Sequence, residues 1–385
     1  MRLLRTLSTA RLLVLLAAVV GVVAGGTAIA VAATGGTGTP PPPQPLASAI
    51  HDALTAPTPD GVTASVQFTN NLFPSGALTG VSSPLLAGAS GRLWVTNDGR
   101  GRIELQSDSG DVQVVWSKTQ LSVYDASSNT AYELALPAEP STPSQQGSPP
   151  SVDQIGTFLA RLADYATVSD AVPGVIAGQG AYTVSVSPKE NGGLLDSISL
   201  GWDAAQGVPL EIGVYAKGSS APALALTVTD ISYGAVADSD VDIAPPAGAK
   251  VVTLSAPSHA GGATKTPEVT GLAAVQAAVP FQVVAPDTLS GLARSDVRLV
   301  GSKNVLITYG EGLGAIAVVE RAADGSQSGA GMLGSLPTVV IGGVSAHELA
   351  TELGTVLNWQ QNGVSFALAG SVTASDAEAA AAALA

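Results

Sequence analysis

The chain has 385 residues, enough for two or three domains with a sizeable core. Charged residues make up 12% and hydrophobic residues 46%, which excludes a charge-driven disordered chain and a coiled coil. Three of the 16 basic residues precede the first apolar run, so the remainder carries 13 basic and 30 acidic residues, a net charge of −17. Such a body does not accumulate on nucleic acid or anionic lipid by charge.

The N-terminal residues have the pattern of an export signal or a membrane anchor. Arginines at positions 2, 5 and 11 precede residues 12–33, which contain no charge and are long enough to span a bilayer. Residues 31–33 (Val-Ala-Ala) resemble a signal-peptidase site. A cleaved signal, a retained anchor and a buried helix all remain open for residues 1–33. The first two place the body outside the cytoplasm, either tethered to the cell membrane or secreted.

The Pro/Gly-rich residues 34–44 are predicted to form a stiff linker. A large domain is then expected over residues 45–252, beginning with a helix at 45–55. Alternating strands follow near 62–68, 91–96, 102–106, 111–117, 121–124 and 130–136, with turn residues between them. This pattern predicts an antiparallel meander with one apolar face.

A second helix is predicted at residues 152–165, with Ser151 as its N-cap. Alternation then resumes around residues 182–187, 197–202, 210–215 and 224–228. A second linker is predicted at 253–267 and a small α+β domain at 268–385. That domain is read as a helix at 268–278, several strands and a C-terminal helix from Ser375. A further helix start is expected at His347.

Several short motifs, in the right order, resemble the LolA family. The first half carries them at residues 91–95 (GRLWV), 102–105 (RIEL), 116–124 (WSKTQLSVY) and 131–134 (AYEL). The second half contains W-D-x-x-x-G-x-P-L at residues 202–210, which resembles a pattern of LolA-like and RseB/MucB-like domains. The resemblance covers roughly residues 45–251. It implies an α+β fold in which a curved antiparallel sheet forms an unclosed β-barrel with a helical lid, and the cavity holds acyl chains.

The predicted cavity lining is the apolar side of the strands. Its members are Leu93, Val95, Ile103, Leu105, Val112, Val114, Trp116, Leu121, Val123, Tyr182, Val184, Val186, Ile198, Leu200, Trp202, Leu210, Ile212 and Val214. The alternative is that these residues are simply the packed core between sheet and helices. One departure concerns the turn after the first motif, where LolA carriers have a basic residue that holds the lid closed. Here it reads Asn97-Asp98-Gly99, so lid gating as in a soluble shuttle is not expected.

The small domain resembles the C-terminal domain of RseB/MucB-type regulators, on the hairpin at residues 309–313 (YGEGL) and the late strands between 343 and 370. In that family the protein binds the extracytoplasmic part of a membrane anti-sigma factor and responds to lipid-bearing signals. The resemblance therefore implies two kinds of partner, a lipid or lipoprotein acyl chain and a membrane protein such as an anti-sigma factor.

Motifs for catalysis, metals and cofactors do not emerge from the sequence. Cysteine is absent, which excludes disulfides and thiolate chemistry. His347 begins H-E-L-A-T, which lacks the second histidine of a zinc protease, and residues 310–314 (GEGLG) join two strands instead of opening a helix. No Walker motif and no G-x-S-x-G occurs. We expect no enzyme, no metal and no cofactor. The hypotheses are an exported lipid-binding module, an RseB-like regulator, or a structural β-domain without a ligand.

Overall fold

The computed structural model describes residues 38–73, 84–136, 149–190, 192–254, 269–323 and 336–384. The segment predicted as signal or anchor, residues 1–33, lies outside them. Within the described ranges, none of the helices combines the length and the apolar character that crossing a bilayer requires.

The first half of the larger sheet is the predicted meander. Helix α1 (Leu46–Thr55) precedes strand β1 (Gly61–Asn70), and the short helix α2 (Pro84–Ala87) follows it. The next strands are β2 (Ala89–Thr96), β3 (Gly101–Ser107), β4 (Gly110–Trp116), β5 (Gln120–Asp125) and β6 (Thr130–Ala135). Each pairs antiparallel with its neighbour, as their alternation predicts.

The second half begins with helix α3 (Val152–Leu162). The predicted N-cap is confirmed: the Ser151 hydroxyl accepts the Gln154 N–H at 3.3 Å, and the Gln154 side chain accepts the Ser151 N–H at 2.9 Å. The elements that follow are β7 (Ala166–Val168), β8 (Val172–Ile176), β9 (Gln179–Pro188), β10 (Leu195–Asp203), β11 (Pro209–Ala216), β12 (Pro222–Tyr233), α4 (Asp238–Val241) and β13 (Lys250–Leu254).

These thirteen strands form one open sheet. Their order is β13-β6-β5-β4-β3-β2-β1-β12-β11-β10-β9-β7, and β8 pairs with β9 off this path. The end strands β13 and β7 do not pair with each other, so the sheet is not closed into a full barrel. All its pairs are antiparallel except β13, which runs parallel to β6. The predicted α+β fold with an unclosed barrel and helices is confirmed: the larger sheet is open, and the strong curl of a half-barrel is seen in the eight-stranded second sheet.

The second sheet has eight strands and is open and strongly curled. Its elements are α5 (Leu272–Ala278), β14 (Thr288–Leu289), β15 (Leu292–Val300), β16 (Asn304–Tyr309), β17 (Ile316–Ala322), β18 (Thr338–Ile341), β19 (Val344–Thr351), β20 (Gly354–Gln361), β21 (Val364–Gly370) and α6 (Ala374–Leu384). The helix expected at His347 is wrong. His347 lies within β19, where Val344, Ala346 and Glu348 alternate in the period of a strand.

The described residues just before α1 lie against the larger sheet. The Tyr182 hydroxyl on β9 donates a hydrogen bond of 2.6 Å to the Pro42 carbonyl. A side chain at position 180 would come within 2.7 Å of the Thr39 carbonyl oxygen, so the strand and this segment are in close contact. The part of the predicted linker that the structure describes is therefore packed on the body.

Candidate functional site

The strand registers bring the predicted lining residues onto one face of the larger sheet, which we call the inner face. Leu93 pairs with Ile103, Ile103 with Val114 and Val114 with Val123. Directly opposed residues point to the same side of a sheet. In the second half, Val184 pairs with Leu200 and Leu200 with Ile212.

Strands β1 and β12 connect these two sets. Ala64 pairs with Leu93, and Phe68, on the same side of β1, pairs with Leu226, which in turn pairs with Ile212. The inner face therefore runs without interruption from β6 to β9. Leu210 lies next to a register shift and is buried in the cluster that contains Val62 and Ala64.

Exposure divides the predicted lining residues into two groups. Seven are buried: Leu105, Val112, Tyr182, Val184, Ile198, Trp202 and Leu210. The other eleven are only half-buried: Leu93, Val95, Ile103, Val114, Trp116, Leu121, Val123, Val186, Leu200, Ile212 and Val214. The inner face is thus covered at some strands and accessible at others.

Helix α1 covers the end of the inner face at β9 and β10. Leu46 and Ala49 of this helix are buried against Tyr182, Val184 and Trp202. Burial also raises the pKa of the Tyr182 hydroxyl, which keeps it a neutral donor to Pro42. Helix α3 packs on α1 and β7. Side chains of the protein itself fill this part of the inner face.

At the opposite end, helix α2 contacts β1, β3 and β4, and the main helix contacts of the described residues do not include β5, β6 or β13. Two rows of apolar side chains cross β4, β5, β6 and β13, and we call them the open strip. One row is Trp116, Leu121, Leu134 and Leu254; the other is Val114, Val123, Tyr132 and Val252. None of the eight belongs to a core cluster of the described residues, and Tyr132 and Leu254 are 40% and 44% exposed.

Sequence reasoning identified half of the open strip. It found Val114, Trp116, Leu121 and Val123 from alternation, but it missed the two outer strands. The alternation of Tyr132 and Leu134 within residues 130–136 was an available signal. Strand β13 was not recognisable in the same way, because its pairing with β6 is parallel and its last residues fell in the predicted linker at 253–267.

Trp116 provides the largest apolar surface of the open strip, and a glycine makes room for it. Gly101 of β3 pairs with Trp116, and a Cβ at position 101 would lie 2.2 Å from the indole ring. The indole therefore lies flat over the backbone of β3. Only a glycine at residue 101 leaves room for the indole ring there.

Two glycines of the family-like motifs have equally specific structural roles. A Cβ at Gly91 would lie 1.8 Å from the Glu104 carbonyl oxygen, so the close approach of β2 to β3 requires glycine there. Gly207 has a φ of +64°, and its Cβ would lie 2.2 Å from the Ala53 carbonyl of α1. The glycine of the second motif thus lets the covering helix pack against the β10–β11 turn.

Asp203 stabilises the turn between β10 and β11. Its carboxylate accepts the N–H groups of Ala205 and Gln206 at 2.7 and 3.0 Å and the hydroxyl of Tyr233 at 2.5 Å. Burial and the bond to Asp203 raise the pKa of Tyr233, which stays a donor. The W-D-x-x-x-G-x-P-L pattern therefore organises packing around α1, and the carboxylate of its aspartate is engaged in these structural hydrogen bonds.

The turn between β2 and β3 contains a basic residue one position after Gly99. Arg100 forms ion pairs with Asp98, Asp238 and Asp242 at 2.9, 2.6 and 2.9 Å. These bonds raise the pKa of Arg100 and attach helix α4 to the turn. Arg100 contacts α4 and its own turn, and in the described residues it is paired with neither α1 nor α3.

Two surface recesses lie away from the predicted lining. One of about 400 Å³ is bordered mainly by polar side chains, among them Gln67, Asn70, Ser90 and Gln106. The other, of about 150 Å³, is bordered by Thr119, Gln120, Glu133, Ala135 and Thr253. Neither includes any of the eighteen predicted residues, so neither is the predicted acyl cavity.

The histidines have structural partners where they are described. His51 Nδ1 lies 2.9 Å from the Pro150 carbonyl and connects α1 to the start of α3. His347 Nδ1 lies 3.4 Å from the Leu336 carbonyl, and His259 falls outside the described residues. Across the described ranges, no group of three or more histidine or acidic side chains is arranged to hold a metal ion.

Comparisons with known proteins give structural matches of low overall similarity. No protein-family model and no curated protein matches the chain. The Pseudomonas aeruginosa MucA/MucB complex matches with a TM-score of 0.41 and 16% identity, over 87% of this chain and 94% of that chain. A LolA superfamily protein from Nitrosomonas europaea matches with a TM-score of 0.21 and 11% identity, over 51% of this chain and 97% of that chain. The likeness is one of fold alone.

Proposed function

We propose that this protein is a non-catalytic, exported binding module that holds an acyl chain on the inner face of its open sheet. The observation that carries the proposal is the open strip, eight apolar side chains in two rows that belong to no core cluster of the described residues. Four strands about 4.8 Å apart make this strip about 14 Å long. Contiguous apolar surface of this kind marks a binding site for an apolar partner.

The charge distribution is consistent with a single amphipathic ligand. The row that borders the open strip contains Asp125, Thr130 and Lys250, which the registers place side by side. A polar headgroup can meet these side chains while the acyl chain lies on the apolar rows. Each buried CH₂ contributes about 0.8 kcal/mol, so roughly ten contribute about 8 kcal/mol before the cost of association. The remaining acidic surface keeps the body off anionic membranes.

The test uses neighbouring residues of β5 that point to opposite faces. The full-length protein is titrated with a fluorescent fatty-acid analogue, and lipid that co-purifies is identified by native mass spectrometry. Val123→Asn removes an apolar group from the open strip and is expected to weaken binding about tenfold. Ser122→Asn, one residue away on the outer face, leaves binding unchanged. Equal affinities of the two variants, or no co-purified and no titratable lipid, would refute the proposal.

A protein partner is the second candidate, and the edge strand β13 favours it. Within the part of the chain that the structure describes, this strand is paired on one edge only, and Val251 and Leu254 are 52% and 44% exposed. Unpaired edges accept additional strands from other chains. The partner would be an extended segment of a membrane protein such as an anti-sigma factor. Cross-linking from position 251 in native membranes that yields no protein adduct would exclude this use of β13.

A further inference from the structure

The core of the second sheet contains a carboxyl group that forms no ion pair with the described residues. Glu320 lies on β17 with Ile316 and Val318, and its relative exposure is 0%. Its strand neighbours are Val305 and Phe366, both apolar. Burying an ionised carboxylate among such residues is costly unless it is paired and fully hydrogen-bonded.

A single backbone group satisfies this carboxyl group. The Val284 N–H donates to both Glu320 oxygens, at 3.1 and 3.2 Å. Val284 belongs to residues 281–287, which have no regular secondary structure and which we call the strap. Val283 of the strap is buried in the core of the second sheet.

The other polar contacts of the strap involve neutral groups or an exposed ion pair. Gln276 of α5 bonds the Phe281 carbonyl and the Val283 N–H at 2.8 and 2.9 Å. Arg294 of β15 bonds the Ala285 carbonyl and, at 2.8 Å, the Asp287 carboxylate. Among these polar partners of the strap, Glu320 is the one that is both fully buried and titratable.

The remaining charged and titratable groups around Glu320 do not neutralise it. Tyr309 of β16 has a buried hydroxyl without a hydrogen-bond partner in the described residues. The Arg294 guanidinium is engaged by the strap itself, and Asp287 carries the same charge as an ionised Glu320. Burial raises the pKa of Glu320 to about 7, and the Val284 N–H opposes this shift only in part. The desolvation penalty of the ionised carboxylate is therefore larger than the free energy gained from its stronger hydrogen bond to Val284.

We propose that residues 281–287 form a pH-sensitive strap that protonated Glu320 holds closed and that ionisation of Glu320 loosens. Opening lets water reach the carboxylate and uncovers the apolar side chains beneath Val283. A carboxyl group whose pKa is about 7 when closed and near 4.5 when hydrated couples opening to the loss of one proton. The opening equilibrium then rises about tenfold per pH unit between these two values and levels off above about 7.

Hydrogen exchange measured by mass spectrometry on the full-length protein tests this. Between pH 5 and pH 7.5, after correction for the intrinsic exchange rate, the protection factor of the strap is expected to fall about 100-fold. Peptides from β16 report global unfolding of the same sheet, and the strap is expected to exchange faster than β16 at every pH because it opens locally. Unchanged protection of the strap between the two pH values, or a strap that is protected as strongly as β16, would overturn the proposal.

Two variants test whether Glu320 or another carboxyl group causes the pH dependence of the strap. Glu320→Gln keeps an oxygen acceptor for Val284 but cannot ionise, so the pH dependence of the strap disappears. Glu348→Gln is the matched control, because Glu348 is a second carboxyl of this sheet with a raised pKa, and its hydrogen-bond partner is Glu378 on α6. Persistence of the dependence in the first variant, or its loss in the second, contradicts the proposal. If Glu320→Gln does not fold, the wild-type pH series decides.

Discussion

Individual glycines determine how closely the backbone elements of this protein can approach one another. Gly91, Gly101 and Gly207 each occupy a position where a Cβ would come within 2.2 Å of another group. At Gly91 and Gly207 that group is backbone, which cannot move without moving a whole element. At Gly101 it is a side chain, which can. The expected consequences of substitution differ accordingly.

Gly207→Ala is expected to separate α1 from the β10–β11 turn. The new methyl group meets the Ala53 carbonyl, and the positive φ of +64° adds strain of about 1 kcal/mol. We expect a total loss of more than about 2 kcal/mol in unfolding free energy, measured by urea denaturation. Gly218→Ala is the control, because Gly218 also has a positive φ (+80°) but no atom within 4 Å of its Cβ. Equal losses in the two variants would show that only backbone strain matters.

Gly101→Ala acts on the proposed ligand surface instead. The methyl group displaces the Trp116 indole from the backbone of β3, so the open strip loses its largest flat apolar surface. Binding of the fatty-acid analogue is expected to weaken several-fold, while the unfolding free energy falls by about 1–2 kcal/mol. Gly234→Ala, where a Cβ meets nothing within 4 Å, is expected to change neither. Undiminished binding by the first variant would remove Trp116 from the site.

At the scale of elements, helix α3 contains a replaceable glycine. Gly156 lies inside this helix, and a Cβ there meets nothing within 4 Å. Gly156→Ala is expected to stabilise the protein by about 0.5–1 kcal/mol, because alanine loses less backbone entropy than glycine in a helix. The expected stabilisation is measured as a rise of a few degrees in the midpoint of thermal unfolding. A lowered midpoint would mean that the helix needs the flexibility of this position.

The sequence was informative about elements wherever local patterns decide them. Strict alternation located β2 to β6, and the N-cap residue Ser151 located the start of α3. Local sequence patterns did not predict the strands whose conformation depends on pairing with a strand distant in sequence. Strand β13 forms by parallel pairing with β6, and β19 was mistaken for a helix because His347-Glu348-Leu349-Ala350 has the composition of one. In β19 the cross-strand partners on β18 and β20 override that local preference.

The candidate site was predictable only in part for the same reason. Period-two alternation identified which side chains share the inner face, but it carries no information about what covers them. Tyr182 and Trp202 are buried because α1 lies on them, whereas Val123 and Leu121 are half-buried and belong to no core cluster of the described residues. Which residues of the inner face are covered depends on where helices that are distant in sequence pack on the sheet. That is a property of the tertiary structure.

At the scale of the whole molecule, buried carboxyl groups determine how stability depends on pH. Glu211, Glu320 and Glu348 all have raised pKa values, with burial as the first cause. For such a group the stabilising contribution is complete below the unfolded pKa and is lost as pH rises through the folded pKa. Asp98 behaves oppositely, because its bond to Thr96 lowers its pKa, but its effect is confined to pH values below about 4.

The thermal midpoint is therefore expected to fall as pH rises from 5 to about 7 and to level off above that. Glu320, with a pKa of about 7, accounts for a loss on the order of 2 kcal/mol over this interval. Differential scanning calorimetry at pH 5, 6, 7 and 8 measures the decline, and Glu320→Gln is expected to remove most of it. Asp230→Asn removes one carboxyl group at an exposed position and should leave the decline intact. If both variants flatten the curve equally, repulsion among the excess acidic charges, not burial of Glu320, controls the pH dependence.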